Sequence, residues 1–513
     1  MNLSRRAFLA GGAAVFATAA APRPAAPPMA LCPSGRFVGE RQDGVAVFRG
    51  IRYGRAARFE MPRPAEPARD PVAAVRYGPA CPQLSRRQPQ SEDCLFLNIW
   101  TPDSAPRGRR PVMVYVHGGA FAFGSGSDPE TEGHRLAAQG DLVVVTLNHR
   151  LNAFGYLSLA RLDPRFPDSG NAGQLDLVLA LQWVRANIAG FGGDPDRVTL
   201  FGQSGGGGKI TTLMAMPAAH GLFRSVATMS GQQVAASGPI HATARARAFL
   251  ARLKAAPGEL AALPPERLLE GLAAEDPFAG GPLYMGPVLD ARSLRRHPFW
   301  PDATPLGRGV AMMTGGTRDE TRAFFPPDSS MIQTMSWGNV ADRIAAELPV
   351  DLSPEEIVAA YRQHMPGSTP SDIFFAATTD GRSWRGQLEV AEARARSDEP
   401  AFAYQVDFTS RVDPRRGAEH AIDVPLVFGT LDAGGSQTGT GAEARAASAR
   451  MQDCFVAFAR SGDPNCRSVP RWPRYTLQER ATMIFDTDVR LARNPRRWQR
   501  LLFAPAPYVQ PGT

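Results

Sequence analysis

The stretch VTLFGQSGGGGKITT, Val198 to Thr212, holds residue types that could serve two chemistries. A glycine run followed by lysine and hydroxyl residues is the composition of a loop that cradles phosphates; glycine-x-serine-x-glycine is that of a serine set up for covalent attack. Spacing separates them. A phosphate loop needs glycine, four residues, then Gly-Lys-Ser/Thr. Counting back from Gly208-Lys209 puts Gln203 at the first position and Ile210 where the metal-binding hydroxyl belongs, so both ends fail. The dinucleotide pattern fails at Ser204, which stands where the second glycine should be. Strand, then Gly202-Gln203-Ser204-Gly205-Gly206, then helix fits a nucleophile elbow at each position.

An attacking serine needs a base, and the base needs an acid to orient it, in the chain order Ser, Asp/Glu, His. Of the eight histidines, His364 and His420 follow the strand-like GVAMMTGG. His364 ends the amphipathic SPEEIVAAYRQH, where a histidine sits well against the last carbonyls of a helix. His420 lies in a loop, GAEHAIDVPLVFG, after the strand-like AFAYQVDF, which is where the base is expected. TGGTRDET offers Asp319 and Glu320 as the acid, and spacing does not choose between them. Backbone N–H groups of Gly205, Gly118 and Gly119 (in YVHGGAF) are the expected oxyanion donors.

These residues require a parallel sheet to bring them together. PVMVYVHGG and LVVVTLNHR are continuous apolar runs, read as strands buried on both faces. A helical pattern, NAGQLDLVLALQWVRANIAGF, ends at the turn-like GGDPD, and RVTLFG, SVATMSG, GVAMMTGG and AFAYQVDF read as further strands. The alternation predicts a mostly parallel sheet with helices on both faces, GVAVFRGIRYG and CLFLNIWTP adding antiparallel strands at one edge. Two helical insertions, about residues 240 to 285 and 335 to 395, are expected to wall the cleft above the sheet.

The chain has 513 residues, 43% of them apolar, enough for one large core. Its first residues, MNLSRRAFLAGGAAVFATAAA, set Arg5 and Arg6 before a short apolar run, the pattern of a twin-arginine export signal. That run is shorter than the roughly 20 residues a membrane span needs. The expected organisation is residues 1–31 as signal and linker and 32–513 as one catalytic domain, exported to the periplasm or beyond. Removing 1–31 takes the net charge from +8 to +5, and the rest is dispersed arginine, with Lys209 and Lys254 the only lysines. No basic run suggests a nucleic-acid partner. Five cysteines show no metal-ligand spacing, and no cofactor or metal is expected. Cys81 with Cys94 would close a short loop; Cys454 with Cys466 is a weaker candidate pair.

Together the blocks EDCLFLNIW, VYVHGGAF, GGDPDRVTLFGQSGG, GGTRDE, GAEHAIDVPLVF and FARSGDPN before RWPRY resemble the type-B carboxylesterase family, which includes bacterial para-nitrobenzyl-type esterases. The resemblance implies an α/β-hydrolase fold and a serine esterase acting on small carboxylic esters through an acyl-enzyme. It implies Ser204 as nucleophile, Glu320 rather than Asp319 as acid, His420 as base, and Gly118, Gly119 and Gly205 as oxyanion donors. It also implies a Cys81–Cys94 disulfide. Gln203 and Gly205 depart from the family's usual Glu and Ala around the serine. The short loop PQLSRRQPQSED lacks the tryptophan that cholinesterases set against quaternary ammonium, which argues against choline esters. The same triad on amides, thioesters or lactones, and an idle binding or adhesion module, are the alternatives.

Overall fold

The computed structural model describes residues 26–85, 88–103, 109–348 and 350–512. Its centre is an 11-stranded sheet. Seven strands run parallel, in the spatial order Val143–Leu147, Arg110–Val116, Gly193–Gln203, Ser225–Met229, Ala311–Thr317, Ala401–Val406 and Ala481–Phe485. Antiparallel strands close both sides: Phe96–Thr101, Val45–Arg52 and Glu40–Gln42 beyond Val143–Leu147, and Arg490–Arg493 beyond Ala481–Phe485. The expected strands are therefore present, and Glu40–Gln42, Ala481–Phe485 and Arg490–Arg493 are additions to them. The run Val112–Val116 is buried at each position because helices cover both faces, which is why it reads as unbroken apolar sequence.

Arg110–Val116 has Val143–Leu147 on one side and Gly193–Gln203 on the other. Connections thus leave it in opposite directions, and such a reversal opens a crevice at the strands' carboxyl ends. The GGDPD segment is not a simple turn. Gly192, at φ 80°, ends the preceding helical turn, Gly193 pairs with Arg110, and a register shift precedes Val198.

The insertions are helical as expected, with Pro239–Leu253 and Pro265–Gly271 in the first. In the second, Pro354–His364 starts on Ser353, whose side chain accepts from Glu356 N, and Pro370–Thr378 starts on a Thr369/Asp372 capping box. Val340, Ile344, Ile357, Tyr361 and Phe374 give this insertion a core of its own. His364 behaves as a helix-end residue: its Nδ1 meets Ala360 O at 2.9 Å and its ring stacks on Trp498.

Two expectations at the N-terminal side need correction. Met29–Cys32 is a strand paired with Gly35–Val38, so folded structure begins before residue 32; the Arg5-Arg6 segment lies outside the described residues. Cys81 and Cys94 are free thiols, not a disulfide. They lie side by side in the core, and the hydrogen bond with Cys81, then burial, holds the Cys94 thiol well above its ordinary range. Cys81 Sγ accepts from Leu151 N at 3.3 Å, so the pair is satisfied by hydrogen bonds. Cys454 and Cys466 are also free, with sulfurs 3.4 Å apart. Among the described residues no helix is long and apolar enough to cross a membrane.

Candidate active site

Four of five consecutive parallel strands each deliver one part of the site at their carboxyl ends, Ser225–Met229 lying between the second and third. Gly193–Gln203 runs directly into Ser204, and the helix Gly205–Leu213 starts one residue later. Ser204 has φ 56° and ψ −126°, a conformation that disfavours any side chain and that a non-glycine residue holds only when its surroundings dictate it. They do so closely. Ser204 N donates to Met229 O at 2.7 Å, and a methyl group at Gly231 would stand 1.7 Å from Ser204 O. At Gly205 a methyl group would stand 2.0 Å from Ala120 O, which accounts for glycine where the resemblance leads one to expect alanine.

Glu320 and His420 follow the two strands beyond Ser225–Met229. Glu320 opens a short turn after Ala311–Thr317 and is fully buried, 0% exposed. One carboxylate oxygen accepts from Thr317 N at 2.8 Å, and the other meets His420 Nδ1 in a short contact. His420 N also donates to Glu320 O at 3.3 Å, so backbone and side chain both tie the histidine loop to the acid. The neighbouring Asp319 points elsewhere, accepting from Ala418 N at 2.9 Å and pairing with Arg318. Geometry therefore distinguishes the two acids that spacing did not.

On the far side of His420, the Gln203 amide lies 3.0 Å from Nε2. With Nδ1–H given to Glu320, Nε2 is an acceptor and the Gln203 Nε2 amide its donor. Asp423, three residues after His420, is wholly buried and neither oxygen makes a well-formed hydrogen bond. Burial, then the charge of Glu320, pushes its carboxyl up to about 7. Sequence reasoning singled out Gln203 only as a departure and missed Asp423.

The strand Arg110–Val116 supplies His117, Gly118, Gly119 and Ala120 beside Ser204, because Val116 and Gly202 are register partners. Among the described residues the N–H groups of Gly118, Gly119 and Ala120 have no backbone acceptor. Ala120, at φ 50°, lies against Gly205 and so joins the expected pair of glycines at the site. The HGGA run carried that signal, but only the two glycines were read from it. A cavity of about 390 Å³ opens from Gly118, Gly119 and Gln203 and extends past Gln83, Tyr115 and Asp128.

A serine at a strand-to-helix turn, with a histidine and a buried glutamate at the carboxyl ends of neighbouring parallel strands, defines an α/β-hydrolase of the serine type. The sequence profile of the carboxylesterase family matches residues 27–501, and the chain belongs to that family. It is 34% identical to the para-nitrobenzyl esterase of Bacillus subtilis over 498 residues, covering 92% of this chain and 97% of that one. It is 31% identical to a phenmedipham hydrolase of Pseudarthrobacter oxydans, covering 92% and 97%. Among solved structures, a carboxylesterase of Geobacillus stearothermophilus superimposes with a TM-score of 0.82 at 35% identity, covering 93% of this chain and 99% of that one. The protein is a carboxylic ester hydrolase acting on small-molecule esters, and the idle-module alternative is not favoured.

Proposed function

We propose that Ser204 is the nucleophile of this esterase, His420 its general base and Glu320 the group that orients the base. The observation that carries this reading is the His420–Glu320 pair, whose Nε2 lies 3.0 Å from the side chain of Gln203, the residue before a serine in a strained turn. Glu320 keeps the proton on Nδ1, so Nε2 is free to accept the hydroxyl proton as Ser204 attacks the ester carbonyl. The Gln203 amide, which holds Nε2 at rest, gives up that bond when the proton arrives. Negative charge on the carbonyl oxygen is received by N–H groups of Gly118, Gly119, Ala120 and Gly205, aided by the positive end of the helix behind Ser204. His420 then protonates the departing alcohol, and water repeats the sequence on the acyl-serine. The cavity beside Gly118 and Gly119 is of the size that holds one arm of a small-molecule ester. An Arg5-Arg6 pair before a short apolar run supports export as the first fate of the chain.

Intact mass after treatment with a serine-reactive fluorophosphonate tests the nucleophile. One adduct is expected on the wild-type protein and none on Ser204→Ala, with labelling slowed at least about 100-fold in His420→Ala. Labelling of Ser204→Ala at the wild-type rate would remove the assignment.

A further inference from the structure

The lysine that makes Val198–Thr212 resemble a phosphate loop has a different position and a different use. Lys209 lies in the helix behind Ser204 and is fully buried, 0% exposed. Its Nζ donates to His117 O at 3.0 Å, stands 3.4 Å from Gly118 O, and lies 5.4 Å from the centre of the Phe121 ring. No carboxylate is paired with it among the described residues, and burial is the influence that sets its proton affinity. A buried cation without a counter-ion is costly, and an apolar chain of similar length would fill the space without that cost.

The two carbonyls that Lys209 holds belong to the peptide units whose other ends are the N–H groups of Gly118 and Gly119. We propose that Lys209 is a positioning residue for the oxyanion hole, acting on the reacting oxygen through those two peptide units. The inference rests on the reading of Ser204 as nucleophile. A donor on a carbonyl oxygen draws electron density through the amide and makes its N–H a stronger donor, and the same bond fixes the loop against the elbow helix. A positive charge behind the loop also favours the state in which the ester oxygen is negative, with little water between to screen it. Neutral substrate gains far less from that charge, so the effect falls on turnover and not on ground-state binding.

The surroundings leave this charge unopposed. His117, one of its partners, is held down to about 3 by burial and by Lys209 itself. The ring of His149 stacks on His117 and is likewise kept neutral, with the Arg150–Asp176 ion pair beyond it. Gln174 faces the lysine's backbone, donating to Lys209 O at 3.1 Å. Burial brings the Lys209 ammonium down to about 7, so its charge is lost as pH rises through neutrality.

The test compares wild type with Lys209→Met and Lys209→Gln, the second keeping an N–H donor without the charge. Turnover of 4-nitrophenyl acetate and inhibition by an aryl trifluoromethyl ketone, which forms a tetrahedral oxyanion on the serine, are measured with thermal melting as a check on folding. Lys209→Met is expected to lower kcat about tenfold or more with KM within about twofold, and to weaken the ketone by the same factor as kcat. Lys209→Gln is expected to fall between. In the wild type, kcat should decline above about pH 7, and that decline should vanish in Lys209→Met. A folded Lys209→Met variant with wild-type kcat and ketone affinity would overturn the proposal, as would equal losses in KM and in ketone affinity. If neither variant folds, the same comparison is made with the smaller Lys209→Ser, and wild-type kcat and ketone affinity in that folded variant overturn it. Failure of the wild type to take up fluorophosphonate would instead remove the nucleophile reading beneath it.

Discussion

Gln203 is the residue at which this site departs most informatively from the pattern that the family resemblance implies. An amide at 3.0 Å from His420 Nε2 donates to the neutral imidazole and contributes no charge of its own. A carboxylate at the same place would stabilise the imidazolium, because an opposite charge within hydrogen-bond distance favours the protonated form. Gln203→Glu is therefore expected to move the acid limb of kcat/KM to higher pH, with activity lost near neutrality and regained in alkali. A pH–rate profile of the two proteins with one neutral ester checks this, and coincident profiles would refute the role given to Gln203. At this scale the sequence was legible where chemistry depends on order along the chain. Ser204, His420 and the Gly118-Gly119 pair follow from motif and order. Spacing could not tell Asp319 from Glu320, because one peptide unit of difference decides which side chain turns inward; the family resemblance pointed to Glu320, and Ala418 N and His420 show the difference in the fold.

The short helix Asp423–Phe428 packs behind the His420 loop and begins on a buried carboxyl. Its placement has a consequence for stability. Folding lifts the Asp423 carboxyl from an ordinary 3.8 to about 7, so the native state binds its proton more tightly than the unfolded chain does. The associated stability is complete below the unfolded value and is lost as pH rises through the folded one. Asp423→Asn removes the titration, and its melting temperature relative to wild type is expected to rise between about pH 4 and about pH 7 and then level off. A difference that stays constant across that range would show that Asp423 is not the titrating group. Elements were legible where a long buried run patterned them: strands such as Ala311–Thr317, seven residues buried at each position, were found, whereas the shorter Ala481–Phe485 and Arg490–Arg493 were not. Arg490–Arg493 is the edge strand, where Arg490 and Arg493 face solvent and interrupt the apolar run, whereas Ala481–Phe485 is largely buried but only five residues long.

At the scale of the whole molecule, the N-terminal segment and the folded chain make separate demands. Export is tested by Arg5→Lys with Arg6→Lys in a bacterial host that has a twin-arginine pathway: esterase activity should shift from outside the cytoplasm to inside it, at precursor mass. An unchanged distribution would refute the export reading. The sheet order also governs when activity can first exist. Gly118, Ser204, Glu320 and His420 meet only because successive crossovers lay their strands side by side. At typical rates of synthesis, the last of them follows the first out of the ribosome by roughly 15–60 s, across about 300 residues. On the proposed roles of Ser204 and His420, the growing chain lacks a base for its serine throughout that interval. By that proposal hydrolysis is a late property of the polypeptide, and a product cut short before His420 is expected to be inert rather than a weaker enzyme.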